Sequence, residues 1–247
     1  MFNFSSKTVI VTGALQGVGN VIAQEYLKLG ANVCIADLGV DATKLDDENP
    51  NLLYLKVDVS KKASVDFMVE TVLSHFGKVD ILINNASIYP ISDFMTLSEN
   101  EWDTMQLVDL KSVYLCTQSV AKSMIDKKVS GSIINIGTID AFHPSYGHSH
   151  YSAAKAGVYS YTVSSSYELG KDNIRVNMVS PGLINRPGLK EQWPDGYKRF
   201  INKAAVKRVP EAIDIANACL FLTSDMAASI TGVDIPVESG VLAAPPY

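Results

Sequence analysis

Seven short apolar runs, alternating along the chain with longer amphipathic stretches, constrain the fold of this sequence more than any other feature. The runs are Thr8–Val11, Asn32–Ala36, Leu52–Val57, Asp80–Ile83, Ser132–Ile136, Ile174–Val179 and Val233–Val237, several of them apolar at consecutive positions. Strands buried on both faces read this way, whereas a strand with one wet face alternates. The stretches between them carry helical spacing over Gly17–Leu29, Lys62–Phe76, Glu99–Met124, Ser152–Leu169 and Glu211–Thr223. Gly30 and Gly77 stand where C-terminal caps belong, and Ser98 supplies an N-cap with Glu99 and Glu101 in the first turn. Strand–helix alternation implies right-handed parallel crossovers, and hence an α/β chain with a doubly wound sheet. Asp37–Asn51 is short and polar, so its crossover is expected to be abbreviated. At 247 residues, with no repeat or linker, the chain is expected to form one domain over 1–247.

Composition removes whole classes of function. A hydrophobic fraction of 47% against 19% charged excludes intrinsic disorder. Lys and Arg number 21 against 26 Asp and Glu, so the net charge of −5 leaves no basic footprint for nucleic acid. Cys34, Cys116 and Cys219 lie far apart among apolar neighbours, which gives neither a disulfide framework nor a metal-binding pair. No apolar run approaches the roughly 20 residues of a membrane span. The segment ahead of Val9–Val11 has no basic region, so a cytoplasmic protein without a signal peptide is expected.

The first strand runs directly into Thr12-Gly13-Ala14-Leu15-Gln16-Gly17-Val18-Gly19 and then a helix. Glycines let a backbone turn tightly against a pyrophosphate, and the helix start offers free N–H groups and the positive end of its dipole. Gly13, Gln16, Gly17, Val18 and Gly19 are therefore candidate dinucleotide-binding residues. Asp37 closes the second strand, where a carboxylate can accept hydrogen bonds from the adenosine ribose hydroxyls and repel a 2′-phosphate. Asp41, Asp46, Asp47 and Glu48 follow it against the single Lys44, so NAD is favoured over NADP.

Downstream, Tyr151 and Lys155 stand four apart in Tyr151-Ser-Ala-Ala-Lys155, one turn apart on one helix face. A phenol near its ordinary pKa of about 10 is a poor base at neutral pH. An adjacent ammonium stabilises the phenolate and lowers that pKa, so the tyrosine can take or give the proton of an alcohol/ketone pair.

Taken with Asp58-Val59, Asn84-Asn85-Ala86, Pro181-Gly182 and Ile230-Thr231-Gly232, these motifs occur in the order seen in short-chain dehydrogenase/reductases. The chain resembles that family over essentially its whole length. The resemblance implies a Rossmann-type sheet of seven parallel strands, a bound NAD(H) or NADP(H), and a homodimer or homotetramer. It further implies that Asp58 and Val59 flank the adenine, that Asn85 lies beside the cofactor ribose, and that the Ile184 backbone meets the nicotinamide carboxamide. Its catalytic set carries over onto Tyr151 and Lys155, with Thr138 in the place usually held by Ser and Asp109 in that of Asn. Asp109 keeps the size of Asn, loses the amide donors and adds a charge near Lys155. In relatives this position anchors a helix irregularity.

Arg186 stands where many relatives carry Thr, and reads either as a solvent-facing loop charge or as an anion contact to the diphosphate or an anionic substrate. His143, His148 and Tyr89, with Ser92, Tyr146 and Trp193 nearby, offer polar and stacking contacts on the substrate side. No cysteine or paired carboxylate accompanies the histidines, so no metal is expected. Pro181–Pro210 interrupts the alternation, and its part over Leu183–Arg208 reads as a substrate lid. The expected activity is NAD-dependent interconversion of a secondary alcohol and a ketone or aldehyde on a small polar substrate such as a sugar, polyol or hydroxylated ring. The competing expectation, motivated by Asp109, Thr138 and Arg186, is a catalytically impaired NAD(H)-binding sensor or scaffold subunit.

Overall fold

The computed structural model describes residues 2–41 and 49–244. Seven parallel strands form one sheet in the order β3-β2-β1-β4-β5-β6-β7. They are β1 (Thr8–Thr12), β2 (Asn32–Asp37), β3 (Leu52–Lys56), β4 (Ile81–Asn84), β5 (Ser132–Ile136), β6 (Arg175–Pro181) and β7 (Asp234–Val237). The helices are α1 (Gly17–Lys28), α2 (Lys62–Phe76), α3 (Glu99–Gln106), α4 (Ser112–Asp126), α5 (Ser149–Leu169), α6 (Leu189–Gln192), α7 (Pro194–Lys203) and α8 (Ala212–Thr223). A π-helical turn, Leu107–Lys111, joins α3 to α4.

The central strands are apolar on consecutive positions because each position feeds one of two cores. Val9, Val11, Val33, Ile35, Ile81 and Ile83 face α1 and α8, where Ile22, Tyr26, Ile215 and Cys219 are buried. The residues between them, Ile10, Cys34, Ala36 and Leu82, face α2 and α4 across Val65, Met68, Val72, Cys116 and Val120. Each such side chain taken fully out of water contributes about 1.5–3 kcal/mol before entropy is counted. Tyr26 is wholly buried, and its hydroxyl is satisfied by Thr223 Oγ1 at 2.7 Å.

The chain reverses its direction of travel across the sheet between β1 and β4, since β1 leads outward to β2 and β3 before returning to β4. At such a switch point the two connections leave in opposite directions and open a crevice at the carboxyl ends of the strands. The sequence-based helix over Glu99–Met124 is corrected: the π turn divides it, and α4 continues to Asp126. Ser98 caps α3 with a full capping box, and Gly30 and Gly77 take φ of +87° and +85° as helix ends require. Most of the crossover between Asp37 and Asn51 lies outside the described residues.

Candidate active site

The crevice brings the tip of β1 against the tip of β4. At Gly13, φ is +62° and an added Cβ would lie 2.6 Å from Ala86 Cα. At Gly19 the same atom would lie 2.4 Å from Asn85 Nδ2 and 2.6 Å from the Gly13 carbonyl oxygen. These two glycines let backbone approach backbone. Gly17 is different: its φ is +64°, and nothing lies within 4 Å of where a Cβ would project. Its open face stands at the start of α1, whose first turn has no acidic residue and whose N-cap, Gln16, makes no side-chain capping bond. Val18 packs half-buried against the core behind them.

Asp37 borders this cradle, its carboxylate accepting from Leu15 N (3.1 Å) and Gly39 N (2.9 Å). Of its sequence neighbours, Lys44, Asp46, Asp47 and Glu48 lie outside the described residues. Asn85 donates from Nδ2 to the carbonyls of Thr12 (2.9 Å) and Gly13 (2.8 Å), and so holds the turn it was expected to serve only as a ribose neighbour. Asp58 accepts from Ser60 and pairs with Lys61 at 3.0 Å, contacts that hold its carboxyl below the usual range, while Val59 beside it is buried. A dinucleotide fits these residues: the open side of Gly17 and the N–H groups of the first turn would hold its phosphates, and Asp37 its adenosine ribose.

Beside the cradle, α5 presents Tyr151 and Lys155 from one face. Lys155 is buried; its Nζ donates to the Ile136 carbonyl at 3.1 Å, lies 3.4 Å from Asp109 Oδ2, and stands 5.8 Å from the Tyr151 ring centroid. Thr138, at the end of β5, accepts from Asp140 N at 3.2 Å. The hydroxyls of Thr138 and Ser87 lie beside the Tyr151 phenol and favour its ionised form. Asp109 is fully buried in the π turn; its Oδ1 accepts from Ile88 N at 2.9 Å and its Oδ2 from the Ser87 hydroxyl. The irregularity expected at this position is present, since Asp109 lies in the middle of the π turn Leu107–Lys111.

The lysine was expected to lower the phenol's pKa; the net direction is upward, because burial and then the Asp109 charge push Tyr151 well above its ordinary value, with Asp140 adding to both. The Thr138 and Ser87 hydroxyls pull it down by less. Asp109 sits close enough to Lys155 to cancel the charge that would have stabilised a phenolate.

On the substrate side, His148 donates from Nδ1 to Asp140 Oδ2 at 3.0 Å, and its ring lies 5.6 Å from that of Tyr151. Its buried Nε2 has no partner among the described residues. The other tentative contacts are not drawn in: His143 and Tyr89 are exposed, and Arg186 is an exposed side chain donating to Gln192 Oε1 at 2.6 Å. Arg186 does line a depression of about 640 Å³ with Val21, Lys190, Tyr197 and Glu211, adjacent to α1 and apart from the tyrosine. Ile184 packs against the β1 core.

The family model described as enoyl-(acyl carrier protein) reductase matches residues 13–242. The 3-oxoacyl-[acyl-carrier-protein] reductase FabG of Chlamydia trachomatis is 35% identical over 242 residues, covering 96% of this chain and 97% of that protein. The (2S)-[(R)-hydroxy(phenyl)methyl]succinyl-CoA dehydrogenase subunit BbsD of Thauera aromatica is 35% identical over 241 residues, covering 95% and 96%. Among solved structures, a putative short-chain alcohol dehydrogenase from Sinorhizobium meliloti superposes with a TM-score of 0.90 at 28% identity, covering 99% of both chains. The chain belongs to the short-chain dehydrogenase/reductase family.

In this short-chain dehydrogenase/reductase, sequence reasoning missed two residues at the phenol. Ser87 follows the Asn84-Asn85-Ala86 motif by one position, and Asp140 lies two residues beyond Thr138, so both stood next to positions already singled out. The segment expected as a lid folds into α6 and α7, with Leu189 buried beneath it and Arg199 stacked 5.7 Å over Trp193. No helix among the described residues is long and apolar enough to cross a membrane, and no cluster of metal-ligating side chains is found among them.

Proposed function

We propose that this oxidoreductase interconverts a secondary alcohol and a ketone on a small polar substrate, with NAD rather than NADP as its dinucleotide. The observation that carries the reading is Tyr151: a phenol one helical turn from a buried lysine whose Nζ stands 5.8 Å from its ring, at the mouth of the switch-point crevice. A bound dinucleotide supplies the hydride acceptor or donor. Tyr151 exchanges the proton with the substrate oxygen, Thr138 orients that oxygen, and Lys155 holds the cofactor ribose. The preference for NAD rests on Asp37, whose carboxylate at the edge of the cradle opposes a 2′-phosphate.

The polar character of the substrate rests on the Asp140–His148 pair beside the tyrosine. The names of the relatives favour a second reading, in which the reacting carbonyl belongs to a 3-oxoacyl thioester. Self-association is proposed on the exposed aromatic residues Tyr114 and Tyr159 on α4 and α5; sedimentation would show a dimer or tetramer, and a monomer at micromolar concentration would reject it.

A spectrophotometric panel of sugars, polyols, hydroxylated rings and 3-oxoacyl thioesters, run with NAD(H) and NADP(H), tests the assignment. Turnover that disappears in Tyr151→Phe while NAD still binds is the expected result. NAD binding without turnover on any member would replace the enzyme with a dinucleotide-binding sensor or scaffold.

A further inference from the structure

The buried ion pair behind Tyr151 has a consequence beyond the choice of cofactor. Lys155 and Asp109 are 3% and 0% exposed, and their charged atoms are 3.4 Å apart, so each neutralises the other where water does not screen them. Asp109 is fixed in place by the Ile88 N–H, the Ser87 hydroxyl and the π turn that carries it. The groups facing the phenol are then Lys155 from α5, Asp109 from the π turn, Asp140 and His148 from the β5–α5 connection, and the neutral hydroxyls of Ser87 and Thr138. His150, next on the helix, is buried with neither ring nitrogen partnered among the described residues, and of the charged groups interacts with Glu101.

Counting charge shows what this arrangement selects. With Asp109 ionised, the set of phenol, ammonium and carboxylate is neutral while the phenol keeps its proton, and ionising the phenol leaves a buried net negative charge. With a neutral amide at 109, the protonated set would be positive and phenolate formation would neutralise it.

We propose that Asp109 is a positioning residue that cancels the charge of Lys155, keeps Tyr151 in its protonated form and so biases the site towards carbonyl reduction at neutral pH. In that direction the phenol O–H breaks and its proton joins the carbonyl oxygen. The carbonyl π bond opens as a C–H bond forms with the hydride of the reduced dinucleotide, and the phenolate left behind regains its proton from water. Oxidation requires the phenolate at the start and is held back by the same charge balance. The inference rests on Tyr151 being the acid/base group.

The test compares the full wild-type chain with Asp109→Asn, which keeps the shape of the side chain and the Ile88 N–H contact. Tyr151 ionisation is read from tyrosinate ultraviolet absorbance after subtraction of the Tyr151→Phe protein, without any substrate or cofactor. Removing one nearby charge is expected to move the titration down by about one to two pH units. On the rising limb of the pH–rate profile for alcohol oxidation, the same shift appears as a gain of at least roughly tenfold at fixed pH.

A tyrosinate fraction equal to or below that of wild type would overturn the proposal. So would a wild-type Tyr151 that ionises at or below about pH 10, a result obtainable even if the variant fails to fold. A tyrosinate shift with an unmoved rate profile would instead overturn the acid/base reading of Tyr151, while the electrostatic role of Asp109 would stand.

Discussion

Gly19 and Gly17 are two residues apart in the same turn, yet alanine at each is expected to damage a different property. At Gly19 the new methyl group would lie 2.4 Å from Asn85 Nδ2 and 2.6 Å from the Gly13 carbonyl, roughly 1 Å inside ordinary contact. Neither neighbour is free to move. The Asn85 amide is held by bonds of 2.9 and 2.8 Å to the Thr12 and Gly13 carbonyls, and the second obstacle is main chain. Overpacking of this kind costs about 1–3 kcal/mol, and each hydrogen bond strained to relieve it about 0.5–1.5 kcal/mol more. A loss of about 2–5 kcal/mol corresponds to a fall in Tm of roughly 5–15 °C for a domain of this size. At Gly17 nothing lies within 4 Å of the added atom, so alanine costs only the left-handed backbone, about 1–2 kcal/mol. The methyl group would, however, fill the open side of the cradle, and NAD affinity should fall at least roughly tenfold, about 1.4 kcal/mol. Thermal unfolding and calorimetric titration with NAD separate the two effects. The reasoning fails if Gly19→Ala melts within about 2 °C of wild type, or if Gly17→Ala binds NAD with unchanged Kd.

Two further outcomes follow from the same geometry. Asp37→Ser should weaken NAD about tenfold or more, the worth of a hydrogen bond to a charged group, and raise NADP affinity relative to NAD; competitive titration that finds an unchanged ratio would remove Asp37 from cofactor selection. Asn84→Ala deprives Asn135 Oδ1 of the Nδ2 donor now 2.8 Å away in a fully buried position, so about 1–3 kcal/mol of stability should be lost with NAD affinity unchanged, and thermal unfolding checks it.

The sheet was legible because each strand's apolar run records burial on two faces, and Ile10 between Val9 and Val11 shows the mechanism: neighbours in sequence enter opposite cores. The cradle was legible for the same kind of reason, since Gly13 and Gly19 occupy positions where no side chain fits. The division of Glu99–Met124 was not legible from helical spacing. A π turn adds one residue without a proline or glycine to mark it, and Leu107–Lys111 contains neither. The substrate side was read least well, because exposure decides which loop side chains converge. His143 and His148 are both loop histidines in sequence, and only His148 finds a carboxylate. The direction of the Tyr151 shift also needed the structure. Four-residue spacing places a lysine beside a tyrosine, but the carboxylate that offsets it arrives from a different helix.

The residues Asn84–Ile88 tie these parts into one unit. Asn84 donates to Thr117 Oγ1 at 3.1 Å and to Asn135 at 2.8 Å, and Asn135 passes the chain on to Thr162 on α5 at 2.8 Å. Asn85 turns the other way and holds Thr12 and Gly13 of the cradle. Ser87 and the Ile88 N–H then reach Asp109 in the π turn. Five extended residues span at most about 18 Å, and here they are bonded along that length to β1, α4, β5 and the π turn. The glycine turn is therefore bonded through this segment to Asp109, whose carboxylate lies 3.4 Å from Lys155 and, after burial, does most to keep the proton on Tyr151. The Asp that stands for the family's usual Asn keeps the shape of that side chain and adds a charge beside Lys155, which is why its effect is expected in the pH dependence of proton transfer and not in stability alone.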